Sequence, residues 1–308
     1  MSETVTSPAE TVESQRKPVS MVGGIIKTAR PRQWVKNVLV LAAPFTANQL
    51  FHREVLTDAA IAFVAFCLAA SAVYFVNDSK DVAEDRAHPT KRNRPIAAGI
   101  VPVPVALAVA VALFLGALAV AMLANWDLVI VIAVYEVVQL GYCFGLKHQM
   151  VVDLCIVASG FLMRSIAGGV AADIRLSQWF LLVTAFGSLF MVAGKRYAEI
   201  MLFERTGAKI RASLAKYSAS YLRFVWAASA AVVIMTYGLW AFEIRQDPSH
   251  SPTWAAVSMV PFVVAVLRYA VDVDGGKAGA PEEIALRDRV LQVLGLAWVV
   301  TLALSIYL

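Results

Sequence analysis

One asparagine and three aspartates recur at helical spacing in the segment Asn77–Asp85, which reads Asn-Asp-Ser-Lys-Asp-Val-Ala-Glu-Asp. On a helix of 3.6 residues per turn, Asn77, Asp81 and Asp85 lie about one turn apart, and Asp78 falls within about 100° of them. Carboxylates this close repel one another unless a cation lies among them. Oxygen ligands of this kind suit Mg²⁺ bound to a diphosphate. We therefore predict a magnesium site formed by Asn77, Asp78, Asp81 and Asp85. A solvated, charged turn after a membrane span is the alternative.

Basic side chains on both sides of this segment could bind the phosphate groups. Lys91 and Arg94 follow it in a loop that contains prolines and a glycine, and lysine and arginine are common partners of phosphate oxygens. Arg32 and Lys36 precede it, are four residues apart and would share one helix face. Cations of this kind also serve as topology signals at membrane edges, and that alternative stays open.

Further candidates lie at later apolar runs. Lys147 occupies a short turn between two runs, and Lys195 and Arg196 follow the end of another. Arg164 lies inside a run, where an ionisable side chain is costly and is a functional candidate. The alternative is that Arg164 pairs with Glu136, which lies near the middle of the preceding run.

The elements that must position these residues are apolar runs long enough to cross a membrane. Of the 308 residues, 59% are hydrophobic and 16% are charged, and the mean hydropathy is +0.68. A soluble domain would carry about 25% charged residues. The sequence therefore predicts an all-α polytopic membrane protein. We expect about nine transmembrane helices, at residues 33–51, 56–77, 102–124, 127–146, 150–172, 177–194, 222–242, 253–271 and 290–308.

The distribution of positive charge predicts how these helices are oriented. With a cytosolic N-terminus, the outer loops hold only Arg53, Arg175 and Arg245 of the 27 lysines and arginines. The acidic segment then lies at the cytosolic face. Residues 1–22 have no apolar core and are expected to form a disordered cytosolic tail before a single transmembrane domain at residues 23–308. The three cysteines show neither disulfide nor metal-binding spacing.

The spans and the pattern Asn77-Asp78-x-x-Asp81-x-x-x-Asp85 after the second span resemble the UbiA superfamily of intramembrane prenyltransferases. Over nearly the whole chain, further segments resemble the phosphoribosyltransferase branch of that superfamily, which serves arabinan (arabinogalactan) synthesis in actinobacterial cell walls. These segments are Arg30–Asn37, His88–Gly99, Gly160–Arg164 and Gly194–Glu199.

The resemblance implies a magnesium-dependent transferase of the bacterial cell (inner) membrane, with a UbiA-type bundle and a cavity at its cytosolic side. It implies transfer of a 5-phosphoribosyl group from 5-phosphoribosyl 1-diphosphate to decaprenyl phosphate, with release of diphosphate. Asp78 and Asp81 would be catalytic. Membrane lipid surrounds such a protein, no nucleic acid partner is expected, and assembly as a homo-oligomer stays open. The implied substrate-binding residues are Arg32, Lys36, Tyr74, Lys91, Arg94, Lys147, Arg164, Lys195, Arg196 and Tyr197.

One position departs from the pattern of the wider superfamily. Ordinary members carry a second Asp-rich motif after the sixth span, which helps to hold a prenyl diphosphate through a second magnesium ion. Here the position reads Lys195-Arg196-Tyr197-Ala198-Glu199, so cations stand where aspartates are expected. Direct cationic contacts suit a donor with an extra phosphate and favour the phosphoribosyl donor. An aromatic prenyltransferase that uses a prenyl diphosphate is the alternative. A transporter fits less well, because the acidic segment lies at one membrane face only.

Overall fold

The computed structural model describes residues 20–207, 214–246, 251–279, 284 and 287–308, and within these ranges it contains helices and no strands. The all-α class predicted from the sequence is therefore confirmed. Most of the tail expected at residues 1–22 lies outside the described residues. The first helix begins at Met21, after the Ser20 hydroxyl, which accepts a hydrogen bond from the Gly23 N–H at 3.1 Å.

The helices follow one another through short connections. They are α1 (Met21–Ala29), a 3₁₀ helix (Pro31–Leu41), α2 (Ala42–Thr46), α3 (Arg53–Lys80), α4 (Val82–Ala87), α5 (Val103–Ala121), α6 (Trp126–Phe144), α7 (Val152–Ala171), α8 (Gln178–Thr206), α9 (Ala219–Gln246), α10 (Pro252–Asp274) and α11 (Arg289–Tyr307). Single 3₁₀ turns occupy Lys91–Asn93, Leu146–His148 and Leu214–Lys216. Within the described residues, eight helices are long and apolar enough to span a membrane: α3 and α5 to α11.

The first predicted span, at residues 33–51, has a different form from the one expected. Its chain is a 3₁₀ helix followed by the five-residue α2, and residues 31–46 are called the first crossing below. At the usual rise per residue its length is about 30 Å, close to the thickness of the hydrocarbon core. Arg30 contacts Asp78 near the end of α3, whereas the Phe45 carbonyl accepts a hydrogen bond from Tyr307, the last residue of α11. The first crossing thus runs between opposite ends of the bundle. The count of nine spans stays a prediction.

The first crossing packs closely against α7. A Cβ atom on Gly168 of α7 would lie only 1.7 Å from the Val40 carbonyl oxygen, so only glycine permits this approach of the two backbones. One turn before Gly168 in α7, the Arg164 side chain donates from Nε to the Asn37 Oδ1 at 2.7 Å. A backbone path determined by two contacts with a distant helix cannot be read from local hydropathy.

Small residues bring α3 and α5 together. Ala106, Ala110, Ala117 and Ala121 of α5 are all buried, and they belong to the same core as the alanines of α3. Small side chains let helix backbones approach closely in a membrane, where burial from water does not drive association. This packing holds α3, and therefore the acidic segment at its end, in a defined position.

Candidate active site

The acidic segment lies where α3 ends and the short helix α4 begins. Asn77 and Asp78 belong to the last turn of α3, Asp81 stands at the junction, and Asp85 lies in α4. The Asp81 N–H donates to the Asn77 carbonyl at 3.0 Å, and the Asp85 N–H donates to the Asp81 carbonyl at 2.8 Å. These bonds continue the helical repeat across the junction between α3 and α4. The spacing read from the sequence is therefore preserved in three dimensions.

Two arginines occupy the space beside Asp78 and Asp85. One terminal nitrogen of Arg30 donates to both oxygens of Asp78, at 2.7 and 2.9 Å. A terminal nitrogen of Arg94 donates to Asp78 at 3.0 Å and to Asp85 at 2.7 Å. The two carboxylates are only 2% and 3% exposed, so their charges are balanced by these contacts. We call these four residues the arginine frame.

Arg30 was not predicted as a separate site residue. It has a left-handed backbone, with φ of 53° and ψ of 59°, a conformation that is uncommon for residues other than glycine. Its guanidinium lies over the Tyr74 ring, 4.4 Å from the centroid, and this contact accounts for the position of Tyr74. The sequence signal was weak, because its carboxylate partner is 48 residues away.

Asn77 and Asp81 are arranged differently from the arginine frame. Lys147 Nζ donates to one oxygen of Asp81 at 2.6 Å, and the Asp81 side chain is 21% exposed. Among the described residues, the Asn77 Oδ1 accepts one hydrogen bond, from the Cys143 thiol at 4.0 Å. Within the described residues no group of three or more His, Cys, Asp or Glu is arranged to hold a metal. In the part of the chain that the structure describes, Asn77 and one oxygen of Asp81 therefore make no hydrogen bond or ion pair with a cation, whereas both oxygens of Asp78 accept from Arg30.

A large apolar cleft runs between the first crossing and helices α7 to α11. Its volume is about 960 Å³. Aromatic and aliphatic side chains form most of its walls, and they include Leu39, Phe45, Phe180, Trp240, Trp298 and Leu302. Lys36, Lys195 and Arg196 also line it. The cleft thus combines a long apolar surface with three cations, a combination that suits an amphiphile with an anionic head group.

A smaller polar pocket is lined in part by Asp78. Its volume is about 350 Å³. The side chains that line it come from the end of α1 and from the loop after α4, and they are Lys27, Thr28, Arg30, Asp78, Thr90, Lys91, Asn93, Arg94 and Pro95. Four cations and one carboxylate make this pocket positive. The protein therefore has one pocket suited to anions in water and one cleft suited to a lipid.

Comparison with known proteins identifies the scaffold. The UbiA prenyltransferase family matches residues 38–284 of this chain. The chain belongs to that family. A decaprenyl-phosphate phosphoribosyltransferase of Mycolicibacterium smegmatis is 58% identical over 300 residues, with 94% of each chain covered. The protein of the same name from Mycobacterium tuberculosis is 60% identical over 293 residues, covering 94% of this chain and 96% of its own.

The fold of the UbiA family is also found among solved structures. A UbiA homolog from Archaeoglobus fulgidus bound to DMAPP and Mg²⁺ superposes with a TM-score of 0.69, covering 91% of this chain and 97% of its own. Its sequence identity is 15%, so this likeness concerns the fold. The UbiA-type helical bundle expected from the sequence is confirmed.

The remaining predicted residues of this UbiA protein fall into three groups. Lys36, Lys195 and Arg196 line the apolar cleft, and Lys91 and Arg94 line the polar pocket. Arg32 is exposed, and Tyr197 is buried, where its hydroxyl accepts from Arg223 at 2.6 Å; neither lines the cleft or the pocket.

Arg164 does not pair with Glu136, the partner considered from the sequence, and has other partners. Its guanidinium is bound to Asn37 and to the Gly160 carbonyl, and it lies over the rings of Phe66 and Tyr135, 5.1 and 5.3 Å from their centroids. A pair with Glu136 is not formed among the described residues, and one oxygen of Glu136 is buried without a hydrogen-bond partner. Arg164 therefore fastens the first crossing to α7. Its predicted contact with substrate stays a prediction.

The UbiA scaffold also ties the connection between α8 and α9 to the start of α7. The Tyr217 hydroxyl donates to Asp153 at 2.6 Å and accepts from the Val151 N–H at 2.5 Å. Arg196 lies 3.8 Å from the other Asp153 oxygen. Nearby, Lys216 Nζ donates to the His148 carbonyl at 3.0 Å, in the turn that carries Lys147. These contacts hold the elements that present Lys147 and Arg196 to the site.

Replacing Tyr217 with phenylalanine is expected to destabilise the protein by about 1–2 kcal/mol, because the buried Asp153 carboxylate and the Val151 N–H both lose a partner. Burial and the hydrogen bond to Asp153 raise the pKa of Tyr217 above its ordinary value of 10.0. A raised pKa means that the stabilisation is fully present below that ordinary value and is lost only as the pH rises through the raised one. Unfolding measured in detergent should therefore show the same penalty at about pH 6 and about pH 9.

The control for this change is Tyr221→Phe. Tyr221 stacks on Tyr217, with ring centroids 5.8 Å apart, and its hydroxyl has no hydrogen bond within the described part of the chain. This variant should unfold like the wild type. A cost equal to that of Tyr217→Phe, or a Tyr217 penalty that disappears by about pH 9, would contradict the assignment.

Proposed function

We propose that this UbiA family member transfers a 5-phosphoribosyl group from 5-phosphoribosyl 1-diphosphate to decaprenyl phosphate, releasing diphosphate. The observation that carries the proposal is the match along 94% of the chain, at 58–60% identity, to proteins named decaprenyl-phosphate phosphoribosyltransferase. The site supports it independently. A positive polar pocket and an apolar cleft with cations lie in one bundle, as a soluble anionic donor and a lipid phosphate acceptor require.

The donor diphosphate is assigned to the acidic segment together with Mg²⁺. Asn77 and Asp81 fit this ion, because they offer hard oxygen atoms one helical turn apart and one Asp81 oxygen makes no hydrogen bond within the described residues. When bound, Mg²⁺ would neutralise charge on the leaving diphosphate. We assign Asp78 and Asp85 to the placement of Arg30 and Arg94, and this assignment narrows the set of metal ligands predicted from the sequence.

The protein's own side chains supply the remaining electrostatics. Lys147 lies 2.6 Å from Asp81 and is 17% exposed, which places a cation beside the departing diphosphate. In the reaction the bond between the anomeric carbon and the diphosphate oxygen breaks, and a bond to an oxygen of the acceptor phosphate forms. The acceptor is already an anion, so no general base is required. Attack from the face opposite the leaving group inverts the anomeric carbon.

The acceptor is assigned to the apolar cleft. Lys36, Lys195 and Arg196 hold its phosphate, and the polyprenyl chain lies along the aromatic and aliphatic walls. Arg196 is fixed by Asp153 at 3.8 Å and by Glu199 at 3.6 Å, so its orientation is set before the lipid binds. In this assignment Lys195 and Arg196 bind the acceptor phosphate. The sequence alone had suggested that they bind the donor.

The location follows from the two substrates. A polyprenyl phosphate is confined to the bilayer, and a phosphorylated sugar donor dissolves in the cytosol. We therefore place the protein in a bacterial cell membrane, with its N-terminus and the acidic segment at the cytosolic face, in agreement with the charge distribution.

Purified protein in lipid nanodiscs, supplied with ribose-labelled 5-phosphoribosyl 1-diphosphate, decaprenyl phosphate and Mg²⁺, is expected to transfer label into the lipid fraction. Chelation of divalent ions should stop the transfer, because the leaving diphosphate would lose its counter-charge. Labelled prenyl diphosphate with an aromatic acid should give no product. Absence of label from lipid, together with prenylation of the aromatic acid, would replace this function with that of an aromatic prenyltransferase.

A further inference from the structure

The polar pocket has two walls that face each other across Asp78. The end of α1 supplies Lys27, Thr28 and Arg30, and the loop after α4 supplies Thr90, Lys91, Asn93, Arg94 and Pro95. Lys27 had no predicted role in substrate binding. Its presence in the pocket results from the fold, since α1 and the loop are separated by more than the whole length of α3.

The two walls are held together independently of any ligand. A Cβ atom on Gly24 of α1 would lie 2.9 Å from side-chain carbons of Ile100 and Val101, so the glycine lets α1 pack directly on the loop. On the loop side, Arg86 Nε donates to the Ala97 carbonyl at 3.0 Å. Arg30 and Arg94, one from each wall, both bind Asp78. A pocket built in this way is arranged for its ligand in advance.

The charges of the pocket are only partly compensated. Asp78 accepts hydrogen bonds from Arg30 and Arg94. The ammonium groups of Lys27 and Lys91 make no hydrogen bond or ion pair with any described residue. One of these lysines lies on each wall. Two uncompensated cations on opposite sides of a small polar cavity suit a compact dianion such as a phosphate monoester.

The position of the pocket distinguishes it from the diphosphate site. Asn77 and Asp81, which we assign to Mg²⁺, do not line it, and neither does Lys147. The buried Asp78, bound by Arg30 and Arg94, lines the pocket and belongs to the same segment as Asn77 and Asp81. The pocket therefore offers lysine and arginine side chains, which can bind a phosphate monoester directly. The diphosphate is assigned to the site that has oxygen ligands for Mg²⁺.

We propose that Lys27 and Lys91, supported by Arg30 and Arg94, bind the 5-phosphate of the donor. This inference rests on the proposed function and adds to it the group that distinguishes the donor from a prenyl diphosphate, which has no third phosphate. The pocket thereby determines donor specificity. The ribose lies between the two lysines and Asp81, with its anomeric carbon toward Asp81.

The test uses two probes that each carry one part of the donor. Ribose 5-phosphate has the monoester alone, and magnesium diphosphate has the leaving group alone. Calorimetric titration of the full-length protein in nanodiscs is expected to give affinities for ribose 5-phosphate about tenfold weaker in Lys27→Gln and in Lys91→Gln. Their affinity for magnesium diphosphate should stay within about twofold of the wild type, which also shows that the variants are folded.

Arg92→Gln is the matched control, because Arg92 is exposed, follows Lys91 directly and does not line the pocket. It should leave both affinities unchanged. Equal weakening of both probes in the lysine variants, or no weakening of ribose 5-phosphate, would overturn the assignment, as would a wild type that does not bind ribose 5-phosphate. If the expected binding pattern is found but labelled donor gives no labelled lipid, the pocket stands and the proposed function fails.

Discussion

Replacing Asp81 with alanine is expected to lower the turnover number by about 10²–10³-fold at saturating Mg²⁺. Among the three aspartates of the acidic segment, Asp81 has the most exposed side chain, at 21%. Within the described residues it is also the only one of the three whose partner is a lysine, Lys147 at 2.6 Å. Its removal takes away a proposed metal ligand and the anchor of Lys147 together. Initial rates of label transfer from 5-phosphoribosyl 1-diphosphate to lipid measure the effect.

The control is Glu84→Gln, which removes an exposed carboxylate three residues further along the chain. This variant should retain nearly normal turnover. Asp81→Ala should also unfold close to the wild type, because the lost carboxylate is partly exposed and its ion pair contributes little to stability. Nearly normal turnover of Asp81→Ala with saturating Mg²⁺ would show that the metal and Lys147 are held elsewhere.

Local spacing was sufficient to find the acidic segment. Asn77, Asp81 and Asp85 belong to one stretch of chain whose helical repeat continues through a junction, so their side chains are neighbours for reasons visible in the sequence. The apolar runs predicted α3 and α5 to α11 for the same reason, since length and hydropathy are local properties. The family resemblance supplied the donor and the acceptor, which spacing alone does not identify.

Contacts between distant parts of the chain were outside the reach of such patterns. The division of the aspartates into arginine-bound and available carboxylates depends on Arg30, 48 residues from Asp78. Lys27 reaches the polar pocket only because Gly24 packs on the loop at Val101. The sequence predicted that many cations lie at one membrane face. Tertiary packing determines which cations face water and which line the apolar cleft.

Replacing Arg94 with methionine is expected to reduce stability by about 2–3 kcal/mol, the largest loss of stability predicted among these changes. Arg94 is the one described cation bound to Asp85, whose side chain is 3% exposed, so the substitution leaves a buried carboxylate without a partner. Asp78 retains Arg30. Denaturant titration in mixed micelles measures the change, and Arg92→Gln, at the exposed neighbouring arginine, should leave the midpoint unchanged.

A second substitution separates the lost ion pair from the lost packing of the arginine side chain. If the cost of Arg94→Met comes from the uncompensated charge, Asp85→Asn should restore a large part of the stability in the Arg94→Met background, although alone it removes a contact of 2.7 Å and destabilises the wild type. The sign of the Asp85→Asn effect must therefore reverse between the two backgrounds. An equal cost in both would show that Arg94 stabilises the bundle through its aliphatic stem, and the arginine frame would then lose its electrostatic basis.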